Sequence, residues 1–331
     1  MRIALRLIAM LGSLVLALMP GLTTAEATAT EQARVQLVTL GTGGGPADRQ
    51  KRAQSANAVV VGDDIYLVDA GDGVLRQLAA ANLPLEKVRA IFITHHHFDH
   101  NAALGPLLAR RWLFGPHSPL PVFGPPMTID MLAHQAKAYR AIELAPITIG
   151  GPASPSIAST IDARDFPADL DQPRVIYQDT NVRVSAILND HYHFAPGSAE
   201  QKASRSYALR FDTPSRSIAF TGDTGPSARV EVLARDVDVL VSEVIDLDRI
   251  EKSLREAGGG EFIEALIEHL RQDHLTPPQV GQLAANARAK QVILSHVVPG
   301  WDDETDLSGY TKGLADHYKG PVRIASDLER F

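Results

Sequence analysis

The sequence Thr94-His95-His96-His97-Phe98-Asp99-His100 directly follows an apolar run, Val88-Arg89-Ala90-Ile91-Phe92-Ile93. Such a run is typical of a short buried strand, so the histidines are predicted to lie on a loop where that strand ends. Imidazole nitrogens together with carboxylate oxygens suit zinc, manganese or iron, whereas calcium and magnesium prefer oxygen ligands alone. The chain contains no cysteine, which excludes thiolate sites. We therefore predict a metal site on this loop.

The spacing within the loop favours two metal ions. Alternate side chains of an extended segment point the same way, so His95 and His97 can bind one ion while His96 faces elsewhere. As the chain turns toward a helix predicted at 102–111, Asp99 and His100 can reach a second ion. A solvated, His-rich turn is the alternative interpretation. It does not explain why four ligand-type side chains fall within six positions behind an apolar run.

The pattern His-x-His-x-Asp-His on this loop resembles that of the metallo-β-lactamase-fold hydrolases. The likeness is closest to the branch that contains tRNase Z, arylsulfatase-like enzymes and related phosphodiesterases, and it extends from about Val35 to the C-terminus. It implies an α/β fold of the four-layer αβ/βα sandwich type, with two mixed sheets flanked by helices and the metals at one edge between the sheets. The alternation of predicted strands and helices agrees with that fold.

The resemblance implies further metal ligands, each close to the end of a predicted strand. A third histidine for the first metal is expected after the strand at 182–188, where His191 is favoured by register and His193 remains the alternative. Asp223, after the strand at 217–220, matches the family's bridging aspartate. His296, after the strand at 291–295, matches the last histidine of the second metal. The implied metal set is His95, His97, Asp99, His100, His191, Asp223 and His296.

Two other side chains are implied to assist these ligands, and one of the ligands is implied to have a second role. Asp69, in Asp69-Ala70-Gly71-Asp72-Gly73, is implied to orient the metal-binding loop, and a plain turn aspartate is the alternative. His274 lies just before a predicted helix and is implied to act as a general acid or transition-state stabiliser, with a helix-capping histidine as the alternative. Asp99 is implied to bind the second metal and also to orient the attacking hydroxide. The predicted catalytic residues are therefore Asp99 and His274.

The N-terminus predicts a signal peptide. Two arginines precede an uncharged apolar stretch at 7–18, which is too short to span a bilayer comfortably, and Ala25-Glu26-Ala27 is typical of a cleavage site. We therefore predict a signal peptide at 1–27, a single hydrolase domain at 28–331 and a periplasmic or secreted bacterial protein. An uncleaved membrane anchor is the alternative.

The charge balance guides the prediction of partners. The formal net charge is −7, and no dense run of lysine and arginine is present. Nucleic-acid binding depends on such side chains at phosphates, so we expect no nucleic-acid partner. We also expect no membrane association after signal cleavage, a small-molecule substrate, and a homodimer as an open option.

Taken together, these features predict an exported hydrolase that holds two divalent metal ions, zinc first, with manganese or iron as alternatives. A metal-bridging hydroxide would attack a small ester, a phosphodiester or an aryl sulfate. A lactonase or other acyl hydrolase is the alternative. From a different class, an iron-dependent oxidase or a periplasmic metal-binding protein without turnover remains open.

Overall fold

The computed structural model describes residues 34–145, 154–258 and 260–331. The described residues form one compact unit that contains two seven-stranded sheets. The first sheet contains β1 (Val35–Gly41), β2 (Ala56–Val61), β3 (Asp64–Val68), β4 (Val88–Phe92), β5 (Leu120–Gly124), β6 (Ile161–Asp165) and β14 (Glu329–Arg330). The second contains β7 (Arg174–Gln178), β8 (Arg183–Leu188), β9 (Tyr207–Asp212), β10 (Ser217–Phe220), β11 (Val239–Ile245), β12 (Val292–Val298) and β13 (Val322–Ile324).

Both sheets are mixed. In the first sheet, β1 pairs antiparallel with β14 and β2, and β2 pairs antiparallel with β3. The pairs β3–β4, β4–β5 and β5–β6 are parallel. In the second sheet, β7 through β10 pair antiparallel, and β10 through β13 pair parallel. Parallel strands are joined by crossovers that place helices on a sheet face, which is why both faces of β11 and β12 are buried.

Helices connect the strands, and some of them cover the outer faces of the two sheets. Their bounds are α1 (Val74–Ala80), α2 (Phe98–Asn101), α3 (Leu104–Phe114), α4 (Thr128–Ala138), α5 (Arg140–Glu143), α6 (Ala199–Ala203), α7 (Ala228–Leu233), α8 (Leu247–Ala257), α9 (Glu261–Asp273), α10 (Pro277–Ala287) and α11 (Leu314–His317). The helix predicted at 102–111 corresponds to α3, and the short α2 precedes it within the segment that was predicted as a loop. Pro277 and Pro278 begin α10, where Thr276 and Gln279 form a capping box that satisfies backbone N–H groups of the first turn.

Three apolar clusters fill the spaces between the layers of sheets and helices. Side chains from both sheets meet in a central core, in which Phe92 of the first sheet contacts Phe211 of the second at a ring-centroid distance of 5.4 Å. The opposite face of the first sheet packs against α1, α3 and α4, and that of the second packs against α7, α10 and α11. The order helix, sheet, sheet, helix confirms the predicted α/β fold with two mixed sheets flanked by helices.

No helix in the described part of the chain is long and apolar enough to cross a membrane. The predicted signal peptide at 1–27 lies outside the described residues, so it stays a prediction.

Candidate metal centre

The predicted ligands converge at one edge between the sheets. Four of them, His95, His97, His191 and Asp223, place their ligand atoms within 4.8 Å of one another. His95 follows β4, His191 follows β8, and Asp223 follows β10, so three separate strands deliver this group. The closest approach within the group joins His191 Nε2 and His97 Nδ1 at 3.1 Å.

A second group lies beside the first. The ligand atoms of Asp99, His100 and His296 also lie within 4.8 Å of one another. His100 Nε2 is 3.4 Å from Asp223 Oδ1, and His296 Nε2 is 3.1 Å from Asp223 Oδ2. Since His95 Nε2 is 3.8 Å from Asp223 Oδ2, this carboxylate lies between both groups.

The donor set fits divalent cations. Three ligand atoms, His95 Nε2, His100 Nε2 and Asp223 Oδ1, are buried without a hydrogen-bond partner among the described residues. Burying a polar atom without a hydrogen-bond partner costs free energy, so these three atoms indicate that a ligand binds between them. Nitrogen lone pairs and a shared carboxylate oxygen facing one another are satisfied by cations rather than by further donors.

The pKa shifts of the group also favour the binding of a cation. Burial lowers the pKa of His95 and of His191 well below the usual value, so both rings are neutral and keep a free lone pair. Burial opposes charge on Asp223, but His296 and His100 outweigh it and hold its pKa well below the ordinary range. Burial likewise lowers the pKa of His100, whereas Asp223, Asp69 and Asp99 outweigh burial and raise it well above the usual value. The surrounding carboxylates thus favour positive charge at this ring, and a cation bound at Nε2 can replace its second proton.

Asp69 orients the loop, as the resemblance implies. It follows β3 with φ of 63°, in the left-handed region that costs free energy for a residue with a side chain. Its Oδ1 accepts a hydrogen bond from the backbone N–H of Thr94 at 2.8 Å, and its Oδ2 is 2.8 Å from His100 Nδ1. A proton held on Nδ1 leaves Nε2 of His100 free to face the centre.

The loop after β8 places one of its two candidate histidines in the group. His191 is buried, and its Nδ1 donates to the backbone carbonyl of Asp273 at 2.9 Å. The side chain of His193 is 50% exposed and contacts the Asp273 carboxylate instead. The geometry therefore brings His191, not His193, to the other ligands.

His296 lies in a different local setting from the one predicted. It lies within β12 rather than after a strand, with φ of 46°, where the register between β11 and β12 shifts. A β-bulge of this kind re-aims one side chain out of the regular alternation, which explains how a strand residue reaches the metal group. The Gly44 backbone lies against this ring, since a Cβ at position 44 would fall 2.7 Å from His296 Nδ1.

His274 is buried next to the ligands but pairs with another group. Its Nδ1 is 2.5 Å from Glu243 Oε2, and its ring lies 5.2 Å from that of His191. Burial opposes a charged imidazole, but Glu243 outweighs burial and raises the pKa of His274 to about 9. The pair therefore carries its proton on His274 at neutral pH.

Two neighbours of the site were missed in the sequence. Glu243 is buried within β11, where the available signal was a charged residue inside a mostly apolar run. His269 lies on α9, where its Nδ1 is 2.5 Å from Asp273 Oδ2. His269 and Asp273 are four residues apart, a spacing that is common for polar pairs on the surface of an amphipathic helix, so the sequence did not distinguish His269 as a site residue.

A cavity of about 480 Å³ opens over the ligands. Its polar side includes His97, Asp99, Asp223, His269 and His274. The remaining walls come from the glycine-rich segment at 44–47, from α8 and α9, and from Val298 and Pro299. Arg49 also lines the cavity, and its guanidinium donates to the Pro299 carbonyl at 3.0 Å.

Comparison with known proteins adds relatives of nearly full length. A family model described as "Beta-lactamase superfamily domain" matches residues 65–297. A Ribonuclease Z from Mycobacterium avium (strain 104) is 27% identical over 303 residues, which cover 89% of this chain and 97% of that protein. Human tRNase Z, short form, superposes with a TM-score of 0.62 at 20% identity, covering 89% of this chain and 98% of that one. The fold is also shared with the metallo-beta-lactamase fold protein YhfI from Bacillus subtilis, at a TM-score of 0.61 and 21% identity over 90% of this chain and 99% of that one.

These relatives overturn part of the prediction. The prediction of a small phosphodiester or aryl sulfate as the substrate, without a nucleic-acid partner, is wrong, because relatives that match nearly the whole chain are named Ribonuclease Z. The predicted export of the protein stays a prediction. The net charge is a poor guide to this partner, because a total of −7 averages over the whole surface, whereas phosphate contacts depend on the local arrangement of cations. The prediction of a metal-dependent hydrolase of ester bonds is confirmed, and the non-hydrolytic alternatives fall with it.

Proposed function

Since the chain belongs to the beta-lactamase superfamily, we propose that it is a metal-dependent phosphodiesterase that cleaves RNA. The proposal is supported by relatives named Ribonuclease Z, which match 89% of this chain over 97% of their own length. The family match at 65–297 also spans all the metal-ligand candidates, from His95 to His296.

We assign two metal ions to the two ligand groups. His95, His97 and His191 would hold the first ion, Asp99, His100 and His296 would hold the second, and Asp223 lies where it would contribute to both. Zinc suits this set, because imidazole nitrogens and carboxylate oxygens are among its preferred ligands. His191 Nε2 and His97 Nδ1 lie 3.1 Å apart, so one cation could be held by both. When bound, such ions polarise phosphoryl oxygens and lower the pKa of coordinated water.

Three side chains that line the cavity have separate roles in the proposed reaction. Asp99 lines the cavity and offers a carboxylate that orients the attacking water and accepts its proton. His274, held protonated by Glu243, donates a proton to the oxygen that leaves. Arg49 places a positive charge on the cavity wall, where it offsets charge on a phosphate.

The observation that carries this proposal is the position of Asp223 between the two ligand groups. Two cations repel one another unless an anion separates them, so a buried carboxylate shared by two histidine groups is what a two-metal site requires.

The test compares metal content with cleavage of a precursor tRNA transcript and of an unstructured RNA of equal length. We expect about two divalent ions per chain and metal-dependent cleavage of RNA by the wild-type protein. Asp223→Asn should lose both properties together. Asp236→Asn is the matched control, because Asp236 forms an exposed pair with Arg288 away from the site. Fully metal-loaded protein that cleaves neither RNA would refute the proposed function.

A further inference from the structure

We propose that the apolar part of the cavity binds the nucleobase of an unpaired nucleotide beside the scissile phosphate, with Phe98 as the stacking surface. This inference rests on the proposed function, because it names the part of an RNA that this site selects. It concerns side chains that take no part in holding metal.

The cavity has two chemically different halves. The metal group lies on one side, and the opposite wall is apolar, formed by Ile250, Leu254, Leu266, Leu270, Val298 and Pro299. Ile250 and Leu254 lie one turn apart on α8, and Leu266 and Leu270 lie one turn apart on α9, so each helix presents an apolar stripe to the cavity. A phosphate at the metals therefore brings its neighbouring groups against apolar side chains.

Phe98 lines the cavity together with both sets of side chains. Its side chain is 68% exposed although its neighbours His97 and Asp99 are ligand candidates, and it lines the cavity. Position 98 begins α2 and contributes nothing to the central core, so an aromatic residue there is not explained by folding. An exposed aromatic ring beside a catalytic centre is a surface on which a base can stack.

The small number of positive charges in the cavity favours a nucleobase as its occupant over a further stretch of sugar-phosphate backbone. Among the described residues that line the cavity, Arg49 is the one arginine or lysine. One guanidinium suits a single phosphate, whereas a groove that follows a nucleic-acid backbone carries several cations. A cavity of about 480 Å³ is also in the size range of a small-ligand cleft rather than a duplex groove. Unpaired RNA bases are commonly recognised by stacking on aromatic side chains, which fits this wall.

The experiment uses three metal-loaded assays on one RNA sequence: the intact RNA, the RNA with an abasic ribose on the 5′ side of the scissile phosphate, and the RNA with an abasic ribose on the 3′ side. We expect one abasic substitution to lower kcat/KM of the wild-type protein by about fivefold or more. Phe98→Ala should lose a similar factor on the intact RNA and nothing further on that abasic RNA, because both changes remove the same contact. Phe98→Tyr should retain wild-type discrimination.

The matched control is Phe114→Ala. Phe114 is also an exposed phenylalanine, at 66%, but it lies against Arg110 at the end of α3. Its loss should leave all three substrates unaffected. Metal content of each variant is measured in parallel, so that damage to the neighbouring ligands by Phe98→Ala is separated from loss of stacking.

Two results would overturn the inference: cleavage of both abasic RNAs within twofold of the intact RNA, or an equal loss in Phe98→Ala on every substrate. If no RNA is cleaved, the proposed function fails, and binding of adenosine 5′-monophosphate against ribose 5-phosphate decides the inference by itself. Tighter binding of the nucleotide by about fivefold, lost in Phe98→Ala, would support the base site, and equal binding of the two would refute it.

Discussion

Glu243 Oε2 lies 2.5 Å from His274 Nδ1, and both side chains are buried at the edge of the candidate metal centre. Glu243 also accepts a hydrogen bond from the backbone N–H of Thr224, the residue after Asp223. One carboxylate thus fixes the ring of His274 and the strand end that carries the shared aspartate. The pairing predicts how activity depends on pH.

Activity should fall as the pH rises through about 9. His274 has an ordinary pKa of 6.5 that the structure raises to about 9, so its proton is present at neutral pH and is lost only above that value. We expect kcat/KM for RNA cleavage to fall across this window in the wild-type protein. His274→Gln should be slower by 10²-fold or more and should lack this decline. An unchanged profile in the variant would remove His274 from proton transfer.

Asp69→Asn should weaken metal binding without unfolding the protein. The asparagine keeps an oxygen for the Thr94 N–H but loses the charge that holds the proton on His100 Nδ1. Loss of such a supporting carboxylate typically lowers metal affinity by about 10- to 100-fold. Competition with a metal-sensitive dye measures the shift. Asp72→Asn is a suitable comparison, because Asp72 follows the same strand and is outside the ligand groups. Equal affinities in both variants would contradict the orienting role of Asp69.

Replacing each candidate histidine of the β8 loop should give opposite results. His191→Gln removes a buried ligand candidate and should cost metal occupancy together with activity. His193→Gln removes a half-exposed ring that contacts Asp273, so occupancy should remain near two ions per chain. Elemental analysis after gel filtration distinguishes the two. Loss of metal in His193→Gln alone would reverse the assignment.

Removal of metal should destabilise the fold. Without cations the buried atoms His95 Nε2, His100 Nε2 and Asp223 Oδ1 have no hydrogen-bond partner among the described residues, whereas bound metal stabilises the folded state by RT ln(1 + [L]/Kd). We expect a chelator to lower Tm and added zinc to restore it. Asp223→Asn should show a much smaller difference between the two conditions. A wild-type Tm that is insensitive to the chelator would count against the metal centre.

Local features of the chain were readable from the sequence because they depend on short-range geometry. The histidine loop follows an apolar run that is β4, and the predicted strands before His191 and Asp223 are β8 and β10. A strand buried on both faces must be apolar throughout, so its end is marked by the first polar residues. The likeness of these motifs to a known family then supplied the two-sheet fold.

Other features depend on contacts between distant segments. Whether His191 or His193 faces the other ligands is set by the carbonyl and carboxylate of Asp273, about eighty residues further along the chain. The inward turn of His296 is set by the shift in register between β11 and β12, a property of strand pairing that periodicity does not contain. The link between Glu243 and His274 likewise exists only once β11 and the start of α10 are side by side.

The sequence by itself thus determined which side chains could bind metal and that several of them follow buried strands, because ligand chemistry and strand periodicity are local. Only the tertiary structure decided that Asp223 lies between two histidine groups and that α8 and α9 enclose the centre with an apolar wall beside Phe98. Distances between residues a hundred positions apart follow from sheet order and helix packing, and those distances place the reacting groups and shape the cavity around them.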